Sequence, residues 1–327
     1  MQPYALDKKD KRILHELDLN GRAPLAQIAK KVGLSRQTIK YRFDNLVKRG
    51  IIWGFHTFID YSRLGYYNYD VWIQLRDIPR KKKDAFIKYL NRHKNLLWLS
   101  ECVGRWDMCA ALLARNIGHF YALFDTALEK HPGVVRDYHI SFSVSGSWYS
   151  RPYLLKESES PVLLWTWKSD FEFVRTDRTD KRILGLLAEN ARIPAQDISK
   201  KLKIDTATVG RRIKRLEKRK VIQGYRGMSE GQMSNLSRYE ILVRLRGMTP
   251  RKEKALEEFC KANPYIYLYI KCVGRWDADI VTEVKSATHL KSMLSELRET
   301  FPESIIDYDA LPITKEYRLN FFPGTLL

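Results

Sequence analysis

Apolar residues recur at helical spacing at the beginning of the chain, over the segment from Leu6 to Leu19. The stripe formed by Ile13, Leu14 and Leu17 predicts a helix that ends at Gly21. Two more helices are indicated by residues that favour helix ends, namely Pro24, Gly33, Ser35 and Gly50. The three segments together predict a small helical domain.

The third predicted helix runs from Ser35 to about Arg49 and has a basic outward face. Its inward positions are expected to be Ile39, Phe43, Leu46 and Val47. A short helix, a glycine turn and a capped basic helix are typical of a helix-turn-helix, whose second helix lies in the major groove of DNA. The β-type segment 51–59 is expected to form a wing or a connecting strand.

Alternating and helical patterns then follow in the order strand, helix, strand, strand, helix, strand. The segments are 68–78, 81–93, 96–103, 108–114, 117–131 and 134–144. This order predicts a ferredoxin-like domain, in which helices cover one face of an antiparallel sheet. The other face must also be covered, and another such sheet is the usual partner.

A repeated hexapeptide shows that this organisation occurs twice. Cys-Val-Gly-Arg-Trp-Asp stands at 102–107 and again at 272–277, and the same offset aligns the chain from about residue 7 to about residue 150 without a gap. We therefore predict an α+β fold with two copies of a winged helix-turn-helix domain plus a ferredoxin-like (βαββαβ) domain. The predicted domains are 1–60, 66–150, 177–228 and 236–327, with a linker at 151–176.

The segment between the copies has no clear counterpart in the repeat. Residues 156–161 have the composition of a linker, whereas 162–174 alternates in part and is expected to form a strand that packs on a domain. The second copy then repeats the helices and strands of the first. They are predicted at 178–190, 194–202, 206–219, 238–246, 250–262, 266–273, 278–284, 289–300 and 305–313.

The net charge of +20 is concentrated in the two helix-turn-helix segments. Residues 1–55 hold 12 Lys and Arg against 5 Asp and Glu, and residues 175–225 hold 15 against 6. Such concentration indicates a polyanionic partner, most simply double-stranded DNA. No apolar run approaches the ~18 residues that span a membrane, and the polar N-terminus has no signal-peptide pattern, so a cytoplasmic protein without membrane contact is expected.

Neither the cysteines nor the histidines have the spacing of a metal site. The cysteines, expected to be buried and reduced, are Cys102, Cys109, Cys260 and Cys272. The seven histidines are expected on surfaces or interfaces, and none is taken to recur at the offset of the repeat. No catalytic residue, metal or cofactor is therefore predicted.

Several short motifs occur together in the first copy. They are Leu6-Asp7-x-x-Asp10-x-x-Ile13-Leu14, Asn20-Gly21-Arg22, Ile28-Ala29, Val32-Gly33-Leu34-Ser35, Gly50-Ile51-Ile52 and Val103-Gly104-Arg105-Trp106-Asp107. With this set the chain resembles the Lrp/AsnC (feast/famine) transcriptional regulators of bacteria and archaea. The second copy is more divergent, since the positions of Gly33, Ser35, Lys40 and Gly50 are taken by Lys203, Asp205, Gly210 and Lys220.

The resemblance implies a winged DNA-binding domain joined by a strand to a ferredoxin-like domain that pairs back-to-back in dimers. It also implies small effectors, often amino acids, that bind near the Gly-x-x-Asp loops, and frequent higher oligomers. In this chain the two copies are expected to form an intramolecular pseudo-dimer, or two chains a homodimer.

The candidate DNA-binding residues lie on the third helix of each copy. They are Ser35, Arg36, Gln37, Thr38, Lys40, Tyr41 and Arg42, and Thr206, Thr208, Arg211, Arg212, Lys214 and Arg215. Lys or Arg contacts to guanine and Gln contacts to adenine would each contribute about 1–3 kcal/mol of base discrimination. The alternative is a solvated basic helix face, and Arg42 and Arg212, nearer the core edge, fit a structural role equally well.

The repeated loops are candidates for an effector site or an interface. Their residues are Gly104, Arg105, Trp106 and Asp107, and Gly274, Arg275, Trp276 and Asp277. A Gly-x-x-Asp turn can also be purely structural, because Asp accepts hydrogen bonds from backbone amides in turns. The identity of the two copies favours a shared structural role at a pseudo-symmetric interface, without excluding an effector site there.

Three functions remain open at this point. The first is a sequence-specific transcriptional regulator in which one chain does the work of a dimer, modulated by a small effector such as an amino acid; the unlike faces of the two helices then predict an asymmetric DNA site. The second is an enzyme, since the architecture also resembles sirohaem decarboxylases, but the loops and the unrepeated histidines weigh against it. The third is a nucleoid-type architectural protein with little sequence preference.

Overall fold

A computed structural model describes residues 6–155, 160–170, 172–229 and 236–326, and its mixture of helix and strand is the predicted α+β class. The helices are α1 (Lys8–Leu19), α2 (Leu25–Val32), α3 (Arg36–Lys48), α4 (Arg80–Asn91), α5 (Ile117–Lys130), α6 (Arg178–Glu189), α7 (Ala195–Leu202), α8 (Thr206–Lys218), α9 (Pro250–Ala262) and α10 (Ala287–Thr300). The strands are β1 (Ile52–Ile59), β2 (Tyr67–Leu75), β3 (Leu96–Cys102), β4 (Met108–Ala114), β5 (Val135–Tyr149), β6 (Leu163–Lys168), β7 (Ile222–Ser229), β8 (Ser237–Leu245), β9 (Ile266–Gly274), β10 (Ala278–Val284) and β11 (Ile305–Leu319). Within these ranges, no helix is both long enough and apolar enough to cross a membrane.

Capping residues and a glycine turn stabilise the helices of the first helical unit, α1 to α3. The Asp7 carboxylate accepts two backbone amides of the first turn of α1, each at 2.8 Å. The Ser35 hydroxyl caps α3 by accepting the Thr38 amide at 3.0 Å. Between α2 and α3, Gly33 has a φ of 70°, a conformation that glycine adopts without a Cβ clash.

The core of this unit follows the predicted stripe with one exception. Ile39 and Leu46 of α3 are buried with the apolar face of α1, and Phe43 is partly buried and stacks on Phe55 at 5.8 Å between ring centroids. The assignment of Val47 was wrong, because this side chain is 41 % exposed. One residue beyond Leu46 lies ~100° further round a helix of 3.6 residues per turn, which turns Val47 away from α1.

The second helical unit, α6 to α8, reproduces both turns without glycine. Lys203 and Lys220 have φ angles of 55° and 58°, where Gly33 and Gly50 have 70° and 72°. An L-residue in this left-handed conformation costs roughly 1–2 kcal/mol, because its Cβ approaches the neighbouring carbonyl oxygen. The rest of the unit must therefore compensate for the backbone strain at Lys203 and Lys220.

Each ferredoxin-like domain has its four strands in the same order. The sequence of neighbours is β5-β2-β4-β3 in the first domain and β11-β8-β10-β9 in the second. Phe86 of α4 and Phe120 of α5 are buried against the outer face of the first sheet, and Leu256 of α9 and Leu297 of α10 against that of the second. The predicted βαββαβ pattern is confirmed in both copies.

The two sheets are joined at both edges by the long strands β5 and β11. The strand β5 pairs with β2 and then with β9, and β11 pairs with β8 and then with β3. Eight of the described strands thus close into a ring with the two helix-free faces inside. The predicted ends at 144 and 313 were too early, because the last residues, to Tyr149 and Leu319, complete the edge of the opposite sheet and leave no exposed edge there.

The linking strands β1 and β7 hold the helical units in place. They pair antiparallel with each other, so the β-type segment 51–59 is a connecting strand. The Gly21 amide donates to the Tyr225 carbonyl at 2.7 Å, and the Ala191 amide donates to the Phe55 carbonyl at 2.9 Å. A Cβ at Gly21 would lie 2.5 Å from the Arg226 carbonyl carbon, so this docking requires glycine. Each helical unit therefore docks on the linking strand of the other copy.

The segment between the copies contributes β6, which pairs with the end of β5. This strand is shorter than the predicted 162–174. Trp165 and Trp167 are buried, and the Trp167 indole lies so close over Gly146 that a Cβ there would be 1.9 Å from the ring. Of the predicted linker, residues 156–159 lie outside the described ranges.

Candidate nucleic-acid interface

The first half of α3 carries the side chains that are most available to a ligand on the surface of the first unit. Arg36, Gln37, Lys40 and Tyr41 are all exposed, and Tyr41 is 68 % exposed. The N-terminal residues of a recognition helix are those that meet base edges in the major groove. The geometry of this helix is therefore suited to reading DNA.

Ser35, Thr38 and Lys40 already have local partners on α3 or at its N-cap. The Ser35 hydroxyl caps the helix and lies 2.8 Å from the Thr38 hydroxyl. The Lys40 ammonium lies 2.8 Å from the Asp44 carboxylate in an exposed pair. Such pairs contribute little stability in water, so Lys40 can exchange this partner for a phosphate.

The helix α8 presents a different exposed face. Arg211, Lys214 and Arg215 are exposed, whereas Thr206 and Thr208 are half-buried. Asp205, at the position of Ser35, caps the helix by accepting the Thr208 amide at 2.9 Å. The Arg211 guanidinium donates to the Thr208 hydroxyl at 2.9 Å. This face offers cations for phosphate and fewer groups that discriminate bases.

Arg42 ties the first recognition helix to α1. Its guanidinium lies 2.7 Å from the Asp7 carboxylate and 2.8 Å from the Asp10 carboxylate. Burial works in the opposite direction, but hydrogen bonds from the Asp10 amide and from Arg42 lower the pKa of Asp7. These ion pairs orient α3 on its domain.

The second unit repeats this contact and extends it. Arg212 lies 2.6 Å from Asp177 and 2.8 Å from Asp180, and the exposed Arg215 lies 2.7 Å from Asp180. Arg42, Arg212 and Arg215 thus all contact acidic residues of the first helix in their unit. The structural reading offered for Arg42 and Arg212 agrees with this geometry.

The two Gly-Arg-Trp-Asp loops occupy equivalent corners of the ring of strands. The Asp107 carboxylate accepts the Leu75 amide at 2.7 Å, and Asp277 accepts the Leu245 amide at 2.7 Å. Each aspartate thus fastens its turn to the neighbouring strand. Gly274 lies against β5, where a Cβ would be 2.6 Å from the Ile140 carbonyl oxygen.

The tryptophans of these loops face the inside of the ring. Trp106 and Trp276 are 2 % and 1 % exposed and pack in one apolar cluster with Trp72 and Leu242. The guanidinium of Arg105 lies 5.5 Å from the ring centroid of Trp106, and that of Arg275 lies 5.2 Å from the ring of Trp276. The tryptophans of the loops therefore build the contact between the two sheets, and Arg105 is exposed whereas Arg275 is partly buried.

A polar cluster inside the ring was not predicted from the sequence. The interior cavity, of about 70 Å³, is lined by residues from both copies, and its carboxylates are Asp70, Glu240 and Asp279. Asp70 accepts the Ser143 hydroxyl at 2.8 Å, and Arg238 donates to Glu240 at 3.2 Å. The sequence feature that could have indicated this cluster is an acidic residue within an otherwise apolar strand. Asp70, for example, lies on the opposite face of its strand from Val71 and Ile73.

Burial controls the protonation of this cluster. It raises the pKa of Asp70 to about 6, although hydrogen bonds from Ser143 and Asn68 oppose the shift. It raises the pKa of Glu240 to about 7 against the charge of Arg238. Burial and the charge of Glu240 raise the pKa of Asp279 well above its usual range. An unpaired carboxylate is costly in this environment, so burial favours the protonated form of these groups, and Asp279 and Glu240 share a hydrogen bond.

The cysteines and histidines lie apart from any metal-like cluster. All four cysteines are buried free thiols, as predicted. Over the described ranges, no three His, Cys, Asp or Glu side chains form a group that could hold a metal ion. The statement that no histidine recurs was wrong, because His119 and His289 have the same offset as the hexapeptides. Both Nδ1 atoms accept a backbone amide, from Arg115 at 3.2 Å and from Lys285 at 3.3 Å, so the two histidines stabilise equivalent turns.

Known proteins match this chain in its parts and as a whole. The model of the AsnC-type helix-turn-helix domain matches residues 6–47 and 177–217. The proline dehydrogenase transcriptional activator of Rhodobacter capsulatus is 35 % identical over 133 residues, which cover 39 % of this chain and 84 % of that protein. An uncharacterized HTH-type transcriptional regulator of Pyrococcus furiosus is 31 % identical over 114 residues, or 35 % of this chain and 74 % of that protein.

Among solved structures, the siroheme decarboxylase NirDL superimposes with a TM-score of 0.62 over 98 % of this chain and 96 % of its own. The identity is 14 %, so this match shows a common fold. The helix-turn-helix matches fall on both recognition helices, and the matched relatives are regulators that this chain covers over most of their length. The chain therefore belongs to the Lrp/AsnC family of DNA-binding transcriptional regulators and carries the unit of that family twice.

Proposed function

We propose that this chain is a sequence-specific regulator that binds DNA through α3 and α8 together, so that one chain takes the role of a dimer. The observation that supports this is the docking of each helical unit on the linking strand of the other, which holds both units on one frame. Paired helix-turn-helix units address successive major grooves about 34 Å apart. Because both units belong to one chain, the second contact is intramolecular and raises avidity.

The two helices have different tasks in this proposal. Arg36, Gln37 and Tyr41 of α3 contact base edges, since these long side chains are exposed at the start of the helix. Arg211 and Lys214 of α8, and Lys40 of α3, contact phosphates, which fix position and carry no direct sequence information. The DNA site is therefore asymmetric. The remaining candidates position the helices: Ser35, Thr38, Arg42, Thr206, Thr208, Arg212 and Arg215.

DNA selection with the purified chain tests this function. We expect one enriched motif with unlike halves, and loss of base preference in one half for the variants Arg36→Ala and Gln37→Ala. The matched control is Lys82→Ala, an exposed lysine on α4 of the first ferredoxin-like domain. Enrichment of no motif would contradict specific binding and leave the architectural role, and a perfect palindrome would contradict the asymmetry.

We also propose that an amino acid modulates DNA binding from the loops 104–107 and 274–277, through contact between chains in a higher oligomer. Val103 and Val273 beside these loops are 57 % and 60 % exposed, which supports an apolar contact there. Asp107→Ala and Asp277→Ala should change oligomeric mass or the response to an amino-acid panel. Intrinsic DNA contacts should remain, because neither aspartate lies on a recognition helix. Unchanged mass and response in both variants would contradict the proposal.

The alternative function is tetrapyrrole decarboxylation, which the whole-chain likeness in fold to siroheme decarboxylase favours. The lining of the interior cavity weighs against this alternative, because its carboxylates Asp70, Glu240 and Asp279 would repel the carboxylates of such a substrate. We therefore propose that the chain acts without catalysis. Addition of sirohaem should produce no protein-bound Soret band, and a saturable band would support the enzyme.

A further inference from the structure

Two arginines at repeat-equivalent positions lie where the helical units dock on the linking strands. Arg22 and Arg192 each follow the first helix of their own unit and lie over the linking strand of the other copy. The guanidinium of Arg22 lies 5.1 Å from the ring centroid of Tyr225, and that of Arg192 lies 5.3 Å from the ring centroid of Phe55. Both arginines are partly exposed, so their charges remain accessible to a ligand.

Strand alternation places this arginine pair on the face of the linking strands that is turned away from the ring of strands. His56 and Arg226 are repeat-equivalent and pair with each other, so the pseudo-twofold axis passes between them. Arg226 points towards the ring of strands, since its guanidinium lies 5.5 Å from the ring centroid of Trp148 of β5. Phe55 and Tyr225 stand one position earlier in their strands and therefore point to the opposite face. The arginine pair thus flanks the pseudo-twofold axis on that face.

The same face carries the recognition helices. The guanidinium of Arg192 lies 5.3 Å from the ring centroid of Phe43 of α3. Tyr225, which lies under Arg22, donates its hydroxyl to Glu217 of α8 at 2.6 Å. Each arginine therefore lies beside the recognition helix of the other unit, and DNA that spans both helices crosses the pseudo-twofold axis between them.

The positive charge of this arginine pair is incompletely compensated within the described part of the chain. Arg22 Nη1 is buried there without a hydrogen-bond partner. Arg192 donates only to neutral groups, the carbonyl oxygens of Gly21 at 2.7 Å and Ala23 at 3.0 Å. The carboxylate of Glu217 nearby is already engaged by a tyrosine hydroxyl. Burial and the charge of Arg22 lower the pKa of Arg192, so an anion beside the pair would relieve both costs.

We propose that Arg22 and Arg192 bind phosphates of the DNA backbone at the centre of the site, between the two major grooves that α3 and α8 enter. This inference rests on the proposed function, which brings DNA across the pseudo-twofold axis. A guanidinium suits such a contact, because its planar fork donates two hydrogen bonds to one phosphate and it stays charged. The contact adds affinity and fixes the register of the two half-sites, but it reads no base.

The salt dependence of DNA binding tests the contact from the protein side. On the selected site, Arg22→Gln should reduce the slope of log affinity against log salt by about 0.9, the value for one phosphate. Arg22→Lys should keep the slope because it keeps the charge, whereas a purely structural role would affect both variants alike. The matched controls are Arg76→Gln and Arg246→Gln, at exposed and repeat-equivalent arginines of the ferredoxin-like domains. An unchanged slope in Arg22→Gln, or equal changes in both Arg22 variants, would overturn the proposal.

Neutral linkages in the DNA test the same contact from the other side. Methylphosphonates in place of the central phosphates should weaken binding of the unaltered chain about tenfold, because charged hydrogen bonds are lost. They should have little further effect on the double variant Arg22→Gln with Arg192→Gln, whose folding is verified by circular dichroism. Methylphosphonates at the ends of the duplex are the control. Equal losses for the unaltered chain and the double variant would contradict a contact at the centre.

Two further measurements distinguish this inference from the proposed function and from binding of a free anion. If DNA selection enriches no motif while Arg22→Gln still reduces the salt slope on a duplex of arbitrary sequence, specific regulation fails and the phosphate contact stands. Inorganic phosphate is then added without DNA, against chloride at equal ionic strength. A melting temperature that rises in the unaltered chain but not in Arg22→Gln, together with an unchanged salt slope on DNA, would identify a free-anion site and overturn the DNA contact.

Discussion

The two helical units have the same backbone and different chemistry. The first has Gly33 and Gly50 at its left-handed turns, and the second reaches the same angles with Lys203 and Lys220. The exposed faces of α3 and α8 differ, since long side chains begin α3 while α8 begins Thr-Ala-Thr. The backbone must be kept because each unit docks on the other, whereas one chain that contains both units is free to give them different surfaces.

The docking surfaces of the two units also differ. On one side the buried Arg226 of β7 pairs with the buried Asp18 of α1 at 2.6 Å. At the pseudo-equivalent place on the other side, the chain has His56 and Ala188. One contact is thus ionic and the other is close to apolar, which allows each to be tested against the other.

The largest effect is expected from breaking the ionic contact. Asp18→Ala leaves Arg226, which is 0 % exposed, as an uncompensated buried charge. We expect a decrease of about 3–5 kcal/mol in the free energy of unfolding, measured by urea denaturation. The double variant Asp18→Ala with Arg226→His copies the other side and should recover most of this stability. A double variant as unstable as the single one would contradict the equivalence of the two sides.

The second prediction concerns the pH dependence of the apolar side. Burial lowers the pKa of His56 to about 4, so it stays neutral in the fold while the unfolded chain takes up a proton near pH 6.5. Stability should therefore fall by about 3 kcal/mol as the pH is lowered from 6.5 to 4, and the His56 contribution should level off below that. His56→Gln should flatten this part of the curve. His119→Gln, away from the docking surface, is the control and should keep the slope.

The third prediction distinguishes base recognition by α3 from phosphate binding by α8. Replacing Arg211 and Lys214 of α8 by alanine should reduce the slope of log affinity against log salt by about 0.9 for each phosphate that is no longer neutralised. Replacing Arg36 or Gln37 of α3 should instead cost about 1–3 kcal/mol of discrimination at one base position. Affinities at several salt concentrations, on the selected site and on a mismatched one, distinguish the two. Equal changes in salt slope and in base discrimination for variants of both helices would contradict the difference in function between α3 and α8.

The sequence is sufficient for the local structure and insufficient for what depends on the opposite copy. The helix end at Ser35 and both βαββαβ patterns are local or repeated, and they were predicted. The extension of β5 to Tyr149 depends on pairing with β9 of the other copy. The local sequence of β5 does not indicate this pairing. The candidate DNA-binding residues follow from the helix pattern alone. The interior cavity does not, because Asp70 and Asp279 come together only when the two sheets face each other.

The smallest effect is expected at the strained turns, where the comparison between units is closest. Lys220 has a φ of 58°, and at the matching Gly50 a Cβ would meet nothing within 4 Å, so backbone strain alone separates the two residues. Lys220→Gly should therefore raise the free energy of unfolding by about 1 kcal/mol, and Gly50→Lys should lower it by about the same amount. Both values come from urea denaturation.

The control for this pair is Lys201→Gly within α7, where glycine should cost about 1 kcal/mol because its backbone freedom is restricted in a helix. Opposite signs for Lys201→Gly and Lys220→Gly would establish that the left-handed turn, and no general effect of removing a lysine, sets the stability. Equal signs would mean that the second unit has relieved its strain by contacts of Lys220. In that case the lysine at this turn stabilises the docked unit directly, and the two copies have reached the same backbone by different energetic routes.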